Sequence, residues 1–301
     1  MISNNKIQGS TARPETTLED ICQAAGKIQK TRPSYGPIIE FYSQVFTAQQ
    51  KSCQELKLDP IQIPSEILKL KLDNDMPLID PSQFIIDQTQ AEKLLSVLCQ
   101  LAMSHAPKLA AHAKILESRL KELDLDLLFS DILENRQTGF EQTAQELKIP
   151  VPVLLFFIFL SMAPSLQSCA VQLAVYLKDS AEPKNGYCPI CGSHPSTAYL
   201  DSDGKRYLVC GLCAHEWHYK RMGCPFCDSS DTRLQHYFFT EEEKEYRVYL
   251  CDNCQNYLKV VDLRVLDRAF VPGLEQIATL HLDMKAREKG YTSAAAGLHD
   301  L

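Results

Sequence analysis

With 301 residues, 45% of them hydrophobic, the chain is long enough for two or three domains and apolar enough for a sizeable core, which excludes a disordered or low-complexity protein. Its formal charge of −7 is a poor match for a phosphate backbone, whose binding needs clustered Lys and Arg. The opening Met1–Lys6 has no basic segment followed by an apolar run, so no secretory signal is read and a cytoplasmic protein is expected.

Residues before about Leu18 are polar, contain Pro14 and read as a loose arm. Thr16 and Glu19 form a capping-box pattern that predicts a first helix through Ile28. Pro37 at a first turn, followed by Ile38, Phe41, Tyr42, Val45 and Ala48, predicts a second helix with one apolar face. The proline-rich Leu56–Pro81 reads as a connection wrapping a bundle, with a short helix at Ser65–Leu72. Ala91, Leu94, Leu95, Leu98, Leu101 and Ala102 mark another amphipathic helix, and Pro107–Leu123 a further one. The pattern continues through Leu127–Leu133 and Phe140–Leu147 into the apolar run Val151–Ala163, which Pro164 is expected to stop. At 13 residues this run is short of the roughly 20 needed to span a bilayer, so a buried core helix is predicted and no membrane embedding. Leu166–Leu177 is read as one more helix, and the polar Lys178–Gly186 as a domain boundary.

Beyond that boundary, 67 residues hold four Cys-x-x-Cys pairs: Cys188/Cys191, Cys210/Cys213, Cys224/Cys227 and Cys251/Cys254. Such a turn puts two thiolates on one side of a loop, and two facing turns supply a tetrahedral metal, so four pairs predict two sites. Eighteen residues separate Cys191 from Cys210, within the spacing of four-cysteine metal sites, and 23 separate Cys227 from Cys251. Sequence proximity groups Cys188, Cys191, Cys210 and Cys213 in one site and Cys224, Cys227, Cys251 and Cys254 in the other. An interleaved grouping stays open, because only ten residues lie between Cys213 and Cys224. Each insert reads as a β-hairpin: Ser196–Leu200 and Lys205–Val209 around Asp201–Gly204, then Leu234–Thr240 and Tyr246–Leu250 around the acidic Glu241–Glu245. Further apolar runs follow at Trp217–Tyr219 and Tyr257–Val261, completing two tandem ribbon-like modules.

A reducing compartment favours metal ligation over disulfides for these eight thiols. Between Gly186 and Asp262, eight basic side chains face eleven acidic ones, a formal −3 that argues against nucleic acid. Cys22, Cys53, Cys99 and Cys169 fall on predicted helices without partners at ligand spacing and read as small core residues. His194, His215 and His218 lie near the clusters, but four cysteines already fill a tetrahedron. Trp217 reads as packing, and Arg221 as satisfying either a thiolate or a partner carboxylate. No phosphate loop, nucleophile elbow or His-Glu-x-x-His pattern occurs, so no catalytic residues are assigned and a non-enzyme is expected. Leu274–Lys289 predicts a C-terminal helix.

The run Cys188–Pro195, then Cys210–Cys213 with Glu216, Trp217 and Arg221 before Cys224–Cys227, then Cys251–Cys254 with Tyr257 and Lys259, resembles the formate dehydrogenase accessory protein FdhE family. The tail from Leu274 to Asp283 and on to Gly290-Tyr291 is similar to that family's C-terminal segment. The resemblance implies a cytoplasmic assembly factor that binds the catalytic subunit of a respiratory formate dehydrogenase before twin-arginine export. It also implies rubredoxin-like ribbons with iron, although four-thiolate chemistry alone suits iron and zinc equally.

Together these readings give an α+β fold. An all-α domain (1–182) precedes two rubredoxin-like or zinc-ribbon modules (187–222 and 223–262) and a C-terminal helical segment (263–301). Two other functions use the same ligands: rubredoxin-type electron transfer and zinc-ribbon nucleic-acid binding, the second opposed by the local charge.

Overall fold

A computed structural model describes residues 16–178 and 184–294. The loose arm expected before Leu18 lies, as far as residue 15, outside the described residues, as do 179–183 of the polar boundary and 295–301 of the C-terminal segment. The first helix, α1 (Leu18–Thr31), starts one residue later than the sequence pattern suggests. Thr17 is the N-cap, and its partner is Asp20: the Thr17 Oγ1 accepts from Asp20 N at 3.1 Å and the Asp20 carboxylate accepts from Thr17 N at 2.8 Å. The shorter Asp closes the box as a Glu would, because either reaches back to the cap amide.

Helix α2 (Gly36–Glu55) has Pro37 in its first turn and buries Ile39, Phe41, Tyr42 and Val45. The connection that follows carries α3 (Ser65–Asp73), none of whose residues is fully buried. Next come α4 (Gln88–His105), α5 (Pro107–Ser118), α6 (Leu125–Leu133) and α7 (Thr138–Leu147). Helix α5 stops five residues short of the predicted Leu123, and Leu120–Glu122 tightens into a single 3₁₀ turn.

Pro164 does not stop the apolar run. Helix α8 is continuous over Val151–Leu173 with Pro164 inside it, then tightens into a 3₁₀ turn at Ala174–Leu177. A proline lacks the N–H that would bond the carbonyl four residues earlier, here that of Leu160. The buried side chain of Gln49 on α2 fills the gap, donating from Nε2 to the Leu160 oxygen at 2.8 Å. Tertiary structure thus supplies the bond that the helix cannot, and the helix survives. Helix and turn together are long and apolar enough to cross a membrane, but 72% of the apolar window is buried inside the protein. Phe156 of α8 packs against Phe41 and Tyr42 of α2, with ring centroids 6.4 and 6.2 Å apart.

Among the described residues seven strands follow: β1 (Pro195–Leu200), β2 (Arg206–Cys210), β3 (Glu216–Tyr219), β4 (Gln235–Phe238), β5 (Tyr246–Cys251), β6 (Asn256–Asp262) and β7 (Thr292–Ser293). The two predicted modules, β1-β2-β3 and β4-β5-β6, join in one sheet of order β3-β2-β1-β6-β5-β4, with β7 also beside β6. The seam is a parallel pairing of β1 with β6, Ala198 opposite Val260 and Leu200 opposite Asp262. Both faces are covered, which explains the nearly unbroken burial of β1 and β6. Ala198, Leu200, Leu208, Trp217, Leu258 and Val260 join the helical core. On the opposite face Tyr199, Val209, Tyr246, Val248 and Val261 pack with Phe270, Leu282 and Ala286.

The predicted C-terminal helix is two helices, α9 (Pro272–Ala278) and α10 (Leu280–Glu288). Thr279 breaks them apart: its backbone sits at φ −115°, ψ 22°, and its hydroxyl donates to the Glu275 oxygen at 2.7 Å. Buried ion pairs tie these helices to the sheet. Lys259 on β6 meets Asp283 at 2.6 Å, and Tyr257 donates to the same carboxylate at 2.9 Å. Tyr246 on β5 donates to Glu275, which also holds Arg268 at 2.9 Å.

Candidate metal centres

Each Cys-x-x-Cys pair sits in the same tight turn. The amide of the first cysteine's turn closes onto the residues beyond it: Cys188 N donates to Ser193 O at 2.9 Å, Cys210 N to His215 O at 2.9 Å and Cys224 N to Ser229 O at 3.0 Å. In the fourth turn Gln255 N donates back to Cys251 O at 2.8 Å. The residue after each second cysteine is left-handed in all four: Gly192 (φ 76°), Ala214 (57°), Asp228 (54°) and Gln255 (57°). Only the first is the glycine that such a conformation favours. The reversal swings the chain away and leaves both sulfurs on the inner side.

The structure brings the eight cysteines into two groups, Cys188, Cys191, Cys210 and Cys213, and Cys224, Cys227, Cys251 and Cys254, with all sulfurs of a group within 4.8 Å of one another. This is the sequential grouping; the interleaved one does not occur. Sulfur separations are 3.8 Å for Cys188–Cys213, 3.6 Å for Cys191–Cys210, 3.6 Å for Cys224–Cys254 and 3.7 Å for Cys227–Cys251. A tetrahedron with metal–sulfur bonds of about 2.3 Å has edges of about 3.8 Å, so the donor sets fit a four-coordinate ion. Electrostatics agrees. Burial pushes the Cys188 and Cys213 thiols well above their ordinary range, while hydrogen bonds led by Cys188 pull Cys191 down. Four sulfurs packed this closely cannot all ionise without a cation between them.

The two groups differ in setting. All four cysteines of the first are buried. Its amides contribute as well: Leu212 N and Cys213 N point at the Cys210 sulfur at 3.4 and 3.5 Å. The helical half reaches it through the connection before α4, where Leu78 N donates to Pro189 O and Ile79 N to Ile190 O, both at 2.9 Å. In the second group Cys227 and Cys254 are only half-buried. Desolvation works against the Cys227 thiolate, yet donation from Asn253 Nδ2 at 3.4 Å helps bring its pKa to about 7. Sequence reading missed Asn253 and the Leu78–Ile79 strap, since neither carries a ligand-type signal.

None of the three histidines joins a group. His215 stacks parallel to buried Trp217, centroids 6.4 Å apart, and burial lowers its pKa to about 4. His194 meets Phe226 edge-on and His218 meets Tyr207 in the same way. Arg221 takes neither expected role: it donates to the Gly204 carbonyl at 3.3 Å. Of the remaining cysteines, Cys99 and Cys169 are buried in the core, and burial pushes the Cys99 thiol up to about 12. Cys53 is half-buried. Cys22 is exposed, contrary to its reading as a core residue, because it lies on the face of α1 away from Ile21, Ala24, Ala25 and Ile28.

Comparison with known proteins places these features. Residues 187–221 match the family model of the FdhE central domain and residues 222–299 that of the FdhE C-terminal domain. A protein FdhE homolog from Aquifex aeolicus is 28% identical over 264 residues, covering 86% of this chain and 87% of the relative. A homolog from Pseudomonas aeruginosa is 38% identical over 119 residues, and protein FdhE from Escherichia coli K12 is 32% identical over 112, alignments that cover 38% and 36% of those relatives. The crystal structure of the FdhE protein from Pseudomonas aeruginosa superposes with a TM-score of 0.65 at 21% identity, covering 95% of this chain and 96% of that one, which shows a shared fold. Over residues 187–299 the cysteine turns, the sheet they anchor and the helices that close over it match the central and C-terminal domain models of the FdhE family.

Proposed function

We propose that the protein is a cytoplasmic accessory factor for formate dehydrogenase biogenesis, holding the enzyme's catalytic subunit before twin-arginine export. The observation that carries this reading is the FdhE match over 187–299, the stretch that contains both four-cysteine groups. Cys188, Cys191, Cys210 and Cys213 would hold one ion and Cys224, Cys227, Cys251 and Cys254 the other, with iron preferred and zinc chemically equivalent as a ligand match. The factor acts by binding rather than by catalysis. Its sheet and helices share one core, so the metals brace a surface offered to a protein partner.

The test is recovery of the tagged protein from its native host, with metal analysis of the same sample. A formate dehydrogenase catalytic subunit should come with it, and deletion should lower formate dehydrogenase activity. Full activity in the deletion strain, with no dehydrogenase subunit recovered, overturns the proposal. One observation favours a second reading. Cys227 and Cys254 reach the surface, as an electron-transfer site requires; a reversible change in an Fe–thiolate absorption band with a defined electron acceptor would support it.

A further inference from the structure

Among the described residues, strand β4 ends the sheet and pairs only with β5. Asp252 N donates to Leu234 O at 2.8 Å, which sets the ladder so that residues 234, 236 and 238 turn their backbone groups toward β5. The N–H and C=O of Tyr237 therefore face outward, and Phe239 follows one step past the strand. Gln235 is different, since its N–H donates to Thr232 O. Natural sheet edges are usually blunted by lysine, proline or a covering element. This one is short, four residues, yet carries two exposed aromatic side chains, Tyr237 at 57% and Phe239 at 50%. They stack on each other with centroids 6.2 Å apart, and Tyr249 of β5 supports Tyr237 from behind at 5.7 Å.

The strand runs into the turn Glu241–Glu245. Arg32 engages Glu243 at 2.6 Å and Glu245 at 3.8 Å, while Glu241 and Glu242 are exposed and have no partner among the described residues. Four carboxylates face Lys244, Arg32 and the imidazole of His281, which meets Glu243 at 2.8 Å, and the exposed Glu241 and Glu242 leave this end of the edge negative. The other end is fixed by the second cysteine group: Gly223 N donates to Gln235 Oε1 at 2.9 Å, and Gln235 lies opposite Cys251.

We propose that the free edge of β4 docks an extended segment of a partner polypeptide as an additional strand. Apolar side chains at alternate positions of that segment would lie on Tyr237 and Phe239, and Lys or Arg at one end would meet Glu241 and Glu242. The open backbone groups select an extended chain, the aromatic pair selects apolar side chains, and the acidic turn selects a basic terminus. The inference rests on the accessory-factor reading for the identity of the polypeptide, though the docking itself does not.

The experiment uses the full chain and fluorescence anisotropy with three labelled synthetic peptides of about ten residues. One has Leu at alternate positions and two terminal arginines, one replaces the arginines by glutamates, and one carries proline at the positions that would bond β4. The first should bind and the other two should be weaker by about ten-fold or more. The double variants Tyr237→Lys with Phe239→Lys, and Glu241→Lys with Glu242→Lys, should each weaken the first peptide by about ten-fold, and the second should also improve the glutamate peptide. The glutamate substitutions lie on exposed positions of a turn, so their effect is readable even where the strand variant folds poorly. Equal binding of the arginine, glutamate and proline peptides overturns the proposal. So does a concentration-dependent dimer that the Tyr237/Phe239 variant abolishes, which would make a second copy the occupant. If the peptide binds as described but no dehydrogenase subunit is recovered from cells, the edge stands and the accessory role falls. If a folded variant that has lost the peptide still recovers the subunit, the accessory role stands and the edge as its contact falls.

Discussion

The continuity of α8 through Pro164 rests on one borrowed hydrogen bond, and this can be tested by a double-mutant cycle. Gln49→Leu removes the donor to the Leu160 oxygen while keeping most of the side-chain volume in a site where Gln49 is 6% exposed. A buried carbonyl left without a partner costs about 1–3 kcal/mol, so the single variant should be less stable by that amount. With Pro164→Ala in place, residue 164 regains an N–H within the helix and can satisfy Leu160 itself. Gln49→Leu should then cost less than about 1 kcal/mol, giving a coupling of about 1–2 kcal/mol between the two positions. Urea unfolding of the four proteins at equal metal content, followed by far-ultraviolet circular dichroism, measures the cycle through midpoints at matched slopes. Additive penalties would refute the idea that the glutamine replaces the missing helical bond.

With metal in both groups as proposed, the second should release it first, because Cys227 and Cys254 are half-buried while all four ligands of the first group are enclosed. Chelator-induced release should be biphasic, with alkylation mapped by mass spectrometry appearing at Cys227 and Cys254 in the fast phase; equal labelling of Cys188 and Cys191 in that phase would contradict it. Ala214→Gly should stabilise by about 0.5–1 kcal/mol, since relief of a left-handed alanine outweighs the added freedom of the unfolded chain, and thermal unfolding would detect the shift. Lys259→Met should destabilise by about 3–5 kcal/mol by taking the cation from the buried Asp283 carboxylate, which Tyr257 still hydrogen-bonds, and Asp283→Leu added to it should recover part of the loss in denaturant titrations.

Features with a local cause were legible in the sequence. The spacing of the eight cysteines gave two groups, and proximity gave their composition, because a hairpin returns the chain to its start over a short loop. Alternation and the Asp203-Gly204 turn likewise placed β1 and β2 to within a residue or two. Features that depend on distant residues were not legible. Pro164 reads locally as a stop, and only Gln49, 111 residues away from its acceptor, reverses it. The parallel β1–β6 seam has no turn to announce it, and burial on both faces hides the period-two signal that would tell one face from another. Thr279 reads as an ordinary helical residue until its hydroxyl takes the Glu275 carbonyl. The docking of Leu78 and Ile79 on the first cysteine turn is made by backbone groups alone, which no side-chain pattern encodes.

The closing of the helical half by elements from the far end of the chain has a consequence for its synthesis. Helices α1 and α2 pack against α9, and Arg32 meets Glu243 across 211 positions of sequence. At roughly 5–20 residues per second, the ribosome needs on the order of 10–40 s to deliver the second partner after the first. For that interval α1 and α2 can pack on each other, but the surface of the pair that α9 will cover has no permanent partner. The nascent chain is therefore exposed to misassociation over nearly its whole translation, and slowing elongation downstream of α2 should raise the insoluble fraction more than slowing it downstream of α9.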